Sequence, residues 1–140
     1  MKEEIISLKT AKLAKEKGFN EICKNGYYET LAHTLDCGRG GEMDFPYIEP
    51  RILERRNYDH SVLIAQAPTQ SLLQRWLREV HNIIVDVVYD ENSEDQFEYF
   101  LSIYKDRLDI INTEHELYDM FWDNYEEAFE EGLQEALKLI

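Results

Sequence analysis

The strongest constraint in this sequence is a change of hydrophobic period at a single point. Between Thr69 and His81 the apolar residues Leu72, Leu73, Trp76, Leu77 and Val80 fall at helical spacing, with Gln70, Gln74, Arg75, Arg78 and Glu79 on the opposite side. Thr69, following Pro68, is a residue type that caps helix N-termini, so the spacing predicts a helix over 69–81. From Asn82 the pattern switches to alternation, with Ile83, Val85, Val87 and Tyr89 on one side and Asp86 and Asp90 on the other. A polar loop over 90–96 and a second alternation from Phe97 to Tyr104 complete an antiparallel hairpin. A helix running straight into a hairpin calls for an α+β arrangement, in which one sheet face is covered by helices.

The flanking segments supply the cover. Ser7 precedes Leu8, Ala11, Leu13 and Ala14, and Gly18 follows them, so a first amphipathic helix is expected over about 4–17. Asn124 and Glu127 have capping-box spacing, and Tyr125, Ala128, Phe129, Leu133, Ala136, Leu137 and Ile140 form the stripe of a last helix. Thr113 and Glu116 show the same spacing, predicting a short helix with Leu117, Met120 and Phe121 on its inner side. Between 19 and 60, glycines and prolines break the pattern; short strands are expected near Tyr27–Tyr28 and Phe45–Ile48, and a firmer one at Ser61–Gln66. The chain has 140 residues and no internal repeat or linker, so one domain over 1–140 is expected: a small, mainly antiparallel sheet with helices packed on one face.

Composition narrows the functional classes. The longest apolar run is the four residues Val62–Ala65, far short of the ~20 needed to cross a bilayer. No signal-peptide pattern opens the sequence, and Cys23 and Cys37 do not make a disulfide framework, so a reduced, cytoplasmic setting is expected. Residues 1–85 carry 12 Lys/Arg and 12 Asp/Glu, whereas residues 86–140 carry 3 and 17, which accounts for the whole net charge of −14. An acidic region of this kind repels phosphate backbones and anionic lipids. Direct nucleic-acid or membrane binding is therefore disfavoured, and a basic protein partner, or none, is expected.

No motif completes a catalytic constellation. His115-Glu116-Leu117-Tyr118-Asp119 has the outline of a zinc-hydrolase helix, with aspartate in place of the second histidine. Cys23, His33 and Cys37 give three soft ligands where structural zinc sites use four. The glycines after Cys37 lack the Lys and Ser/Thr of a nucleotide-binding loop, and Asp90, Asn92 and Glu94 open a calcium-like loop that has Asp95 where glycine is required. No metal or cofactor is expected. Arg75 and Arg78, beside His81 and Trp76, are candidates to grip an anion, although a core Trp and dipole-complementing arginines explain the same residues. Tyr118 and Trp122, one turn apart and off the inner stripe, are the aromatic candidates for a partner or a second copy. Glu126 and Glu130, on the acidic face of the last helix, join them as candidate binding residues.

The segments Ala67–Asn82 (APTQSLLQRWLREVHN), Tyr125–Ile140 (YEEAFEEGLQEALKLI) and Leu8–Phe19 (LKTAKLAKEKGF) resemble small uncharacterised proteins encoded by phages and prophages of gut bacteria. The resemblance spans about half the chain. It implies a mobile-element origin in a bacterial host and carries no catalytic residues. The expected function is that of a non-enzymatic accessory protein, acting through its acidic, aromatic C-terminal face and in a sharper form imitating DNA. The competing expectation is a metal-dependent hydrolase or nuclease whose carboxylates come from Asp86, Asp90, Asp106, Asp109, Glu114 and Asp119. A purely structural homodimer is a third.

Overall fold

The computed structural model describes residues 3–30, 50–54, 61–90, 98–111, 115–118 and 120–140. At the period change, helix α2 (Gln70–His81) starts at Thr69, whose side chain accepts from Leu72 N at 3.2 Å. It ends at Asn82, a left-handed residue with φ 55° that turns the chain directly into strand β4 (Ile83–Asp90). Strand β5 (Glu98–Lys105) pairs antiparallel with β4 from Ile83↔Lys105 to Asp90↔Glu98, as the two alternations predict. Asp106 and Arg107, both at positive φ, then make a two-residue turn into a short strand, β6 (Leu108–Asp109), for which the sequence gives no periodic signal. The two left-handed corners are tied together: Asn82 Nδ2 donates to Asp106 Oδ1 at 2.9 Å, and Asp106 N to Asn82 O at 3.2 Å.

A second antiparallel sheet is built from β1 (Asn25–Thr30), β2 (Arg51–Glu54) and β3 (Ser61–Gln66), in the order β2-β1-β3. The α+β class holds, but the strands form two three-stranded sheets instead of one. The sequence places the Tyr27–Tyr28 and Ser61–Gln66 strands correctly; β2 was not anticipated, and the expected strand at Phe45–Ile48 lies outside the described residues. Helix α1 (Leu8–Glu16) packs on β3, helix α3 (Tyr125–Lys138) on β4 and β5, and α3 also meets α1 and α2. The helices thus join the sheets, and their contacts close over Ile6, Leu73, Leu77, Ile83, Ile103, Leu133 and Leu137, all with less than 2% exposure. Gly132 permits the close approach of α3, since a Cβ there would come within 2.7 Å of Val85 Cγ1.

Each sheet has an outer strand tended by a helix side chain. Ile64, the extra residue at a bulge in β3, has its carbonyl bonded by Lys15 Nζ at 2.8 Å, and Val85 O of β4 accepts from Gln74 Nε2 at 2.7 Å.

Two expected helices need correction. The first begins at Leu8, because residues 4–6 are extended and bonded across to 68–70: Ile6 N donates to Pro68 O at 3.1 Å and Gln70 N to Glu4 O at 2.9 Å. The short helix ahead of Asn124 is not formed: residues 116–118 make a turn, and Trp122 exchanges backbone hydrogen bonds with Tyr99 at 2.8 and 2.9 Å. Pairing with the edge of β5 holds this segment extended, so helical spacing does not govern it. Leu117 is buried, Met120 and Phe121 are 45% and 48% exposed, and Trp122 is half-buried. Thr113, the proposed cap, lies outside the described residues.

The α2–β4 junction depends on Asn82. Asn82→Ala is expected to lower unfolding free energy by about 1–2 kcal/mol through left-handed strain, with Asn82→Gly retaining most of the stability. Urea denaturation of the two variants tests this.

Candidate functional site

Four carboxylates of the acidic C-terminal region, Glu126, Glu127, Glu130 and Glu131, lie on the first turns of α3. Asn124 caps this helix, its Oδ1 accepting from Glu126 N at 2.8 Å and Glu127 N at 3.3 Å. Glu126 and Glu127 occupy the first turn, where the helix dipole favours negative charge. Across from them runs the extended segment of residues 4–7. Between the two lies an open cleft of about 780 Å³, whose lining includes Glu4, Glu126, Glu127, Glu131, Trp122 and Gln70. No lysine or arginine is among its described lining residues.

Glu130, in the same cleft, is half-buried and serves the fold. Its Oε1 accepts from the backbone N–H of Ser7 at 2.8 Å and from the Thr10 hydroxyl, and its Oε2 accepts from Gln70 Nε2 at 3.2 Å. Ser7 is the N-cap of α1, and its hydroxyl accepts from Thr10 N at 3.2 Å. In a capping box, a glutamate three residues on bonds the cap's own N–H. Thr10 stands at that position here, and Glu130 supplies the carboxylate from a different helix. Helix α1 has no acidic residue in its first turn, so Glu130 also provides the charge its dipole favours. Gln70 Nε2 adds a bond to Glu126 O at 3.0 Å, joining α2 to the same knot. Nearby, Tyr27 donates its hydroxyl proton to Ile6 O at 2.7 Å; burial, and then the Glu130 charge, push its pKa up.

An aromatic ladder runs from β4 across β5 to α3, with ring centroids 5.6 Å apart for Tyr89–Tyr99, 5.9 Å for Tyr99–Tyr125 and 5.6 Å for Tyr125–Phe129. Burial raises the Tyr125 pKa, and the charges of Asp86 and Glu126 raise it further.

The six residues singled out by sequence therefore separate. Trp122, Glu126 and Glu130 line the acidic cleft, Trp122 as a half-buried wall where a freely exposed ring was expected. Tyr118 is 47% exposed, in the turn outside the cleft. Arg75 and Arg78 line a different hollow of about 580 Å³ with Lys24. Positive charge in this hollow is balanced locally, because Arg75 lies 3.8 Å from Glu21, Lys24 lies 3.5 Å from Glu54, and Glu3 contributes to the lining. Trp76 is a core residue, edge-on to Phe19 and to His81, whose Nε2 is buried without a hydrogen-bond partner among the described residues.

Other motifs take structural positions or fall outside the described residues. His115 Nδ1 accepts from Leu117 N at 3.1 Å, so it caps a turn, and Asp119 is not described. His33, Cys37, the glycines after it, residues 91–97 and Glu114 are likewise outside. Among the described residues, no three His, Cys, Asp or Glu side chains are grouped to hold a metal ion. Asp86 is on β4, Asp106 in the β5–β6 turn and Asp109 on β6. Ser7, Thr10 and Gln70 were missed by sequence reasoning because their partner is more than 50 residues away in the chain. No protein family, curated protein or solved structure matches this chain.

Removing the Glu130 carboxylate leaves three donors without their acceptor. Glu130→Ala is expected to cost about 2–3 kcal/mol in urea unfolding, more than Glu130→Gln, which keeps an acceptor oxygen. A second expectation concerns alkaline stability. Burial, reinforced by Glu21, pushes the Cys23 thiol from 9.0 up to about 11, so folding favours the neutral form. That contribution is intact below pH 9 and is lost as the pH rises through 11. Cys23→Ala should flatten the fall in melting temperature between these pH values.

Proposed function

We propose that this chain is a non-enzymatic accessory protein of phage or mobile-element origin that binds a basic segment of a protein partner in the cleft between residues 4–7 and α3. One observation carries the reading: Glu4, Glu126, Glu127 and Glu131 line a single cleft beside Trp122, with no cation among the described lining residues. Glu130 holds the wall together, leaving the other carboxylates to act outward. A guanidinium or ammonium entering the cleft meets several carboxylates at once and an indole on which its stem can lie. Met120 and Phe121, just ahead of Trp122 in the chain, are exposed, as is Tyr118. Imitation of DNA would call for carboxylates along a convex surface at phosphate spacing. Their placement around a concavity instead favours a protruding basic segment.

Calorimetric titration with amidated octa-arginine tests the proposal. One saturable site is expected, weakening about tenfold in the Glu126→Gln/Glu127→Gln/Glu131→Gln variant, and also weakening in 0.5 M salt by screening. Equal affinity for the variant would overturn it.

A further inference from the structure

We propose that the outward face of the β4-β5-β6 sheet docks a basic amphipathic helix of a partner protein. This surface is independent of the cleft. Strand pairing assigns its residues: Ile83, Val85, Leu101 and Ile103 point inward and are buried, so their neighbours point outward. Outward, Ile84 stands opposite Tyr104 and Val88 opposite Phe100, forming two apolar cross-strand pairs. Ile84 is 44% exposed and the other three are half-buried. Helices α2 and α3 pack on the inward side, and α1 belongs to the other sheet, so no described helix covers this face.

Charge selects the occupant. Asp86 lies in the row between the two apolar pairs, opposite Ser102, and Asp109 lies beside Tyr104. The described outward positions of the three strands include no lysine or arginine; Lys105 points inward and bonds Leu139 O. A second copy of this chain would set these aspartates against their own equivalents, in a molecule of net charge −14, so self-association through this face is disfavoured. An anionic membrane is repelled for the same reason. A cationic partner with apolar anchors satisfies both features.

Spacing selects a helix. Ile84 and Val88 are four residues apart, about 13 Å along the strand at 3.3 Å per residue. A helix lying along the strands presents residues n and n+7 on one side about 10.5 Å apart, with n+3 and n+4 between them. Apolar anchors at n and n+7 reach the two apolar pairs, and an arginine at n+3 or n+4 meets Asp86.

The probe is an amidated 15-residue alanine-based peptide with Leu at positions 4 and 11 and Arg at 7 and 8, compared with a scrambled peptide of the same composition. Saturable amide shifts are expected along 84–88 and 100–104 in the full chain. Asp86→Lys should weaken binding at least tenfold, as should Ile84→Ser, while the triple glutamine variant of the cleft leaves it unchanged. Absence of saturable shifts on these strands overturns the proposal, as does equal binding of the scrambled peptide or loss of affinity in the cleft variant alone. A concentration-dependent dimer in sedimentation that Asp86→Lys strengthens would assign the face to a second copy and overturn it equally.

Discussion

The carboxylate of Glu130 is the point on which the helical layer depends. It reaches from the second turn of α3 to the first turn of α1 and to Gln70 at the start of α2, so a single side chain fixes two helix starts against a third helix. A hydrogen bond to a charged acceptor contributes more than a neutral one, and a half-buried donor left without its acceptor carries a desolvation penalty. Because α1 packs on β3 while α3 packs on β4 and β5, the arrangement of those helix ends also sets how the two sheets are held together. Ile6, Leu133 and Leu137, from the segments this carboxylate joins, are all fully buried in the one apolar core.

The same placement shapes the cleft. The extended segment before α1 is bonded to residues 68–70 on one flank and to Glu130 on the other, which makes it a fixed wall facing the first turns of α3. Glu126 and Glu127 are stabilised locally by the helix dipole and the Asn124 cap, so their acidity has a structural cause. Glu4 and Glu131 add charge beyond that local need, and the proposed binding of a basic segment rests on this convergence.

Legibility in the sequence followed the range of the interactions involved. Helix α2, the β4–β5 pair, β3 and α3 were readable because periodicity and caps are local, and each has an unbroken apolar pattern. The segment ahead of Asn124 misled because Leu117, Met120 and Phe121 sit at helical intervals by coincidence. Its conformation is set by the Tyr99–Trp122 pairing, between residues more than 20 positions apart. The division into two sheets was equally hidden, since alternation marks a strand without naming its neighbour. Of the candidate binding residues, Glu126 was readable as a first-turn acid, whereas nothing near Glu130 in the chain hints at Ser7, Thr10 or Gln70.

By itself the sequence determined the α+β class, the helix-to-strand switch at Asn82, the helix caps at Thr69 and Asn124, and the concentration of negative charge in residues 86–140. These are properties of adjacent residues, fixed by side-chain period, cap chemistry and composition. Only the tertiary structure decided that Glu130 completes a cap on another helix, that Trp122 is a strand-bound wall, and that the carboxylates around α3 line one open cleft. It also left an apolar and acidic sheet face uncovered by any described helix. Each of these depends on which distant segments meet, and that is settled by burial of the shared core.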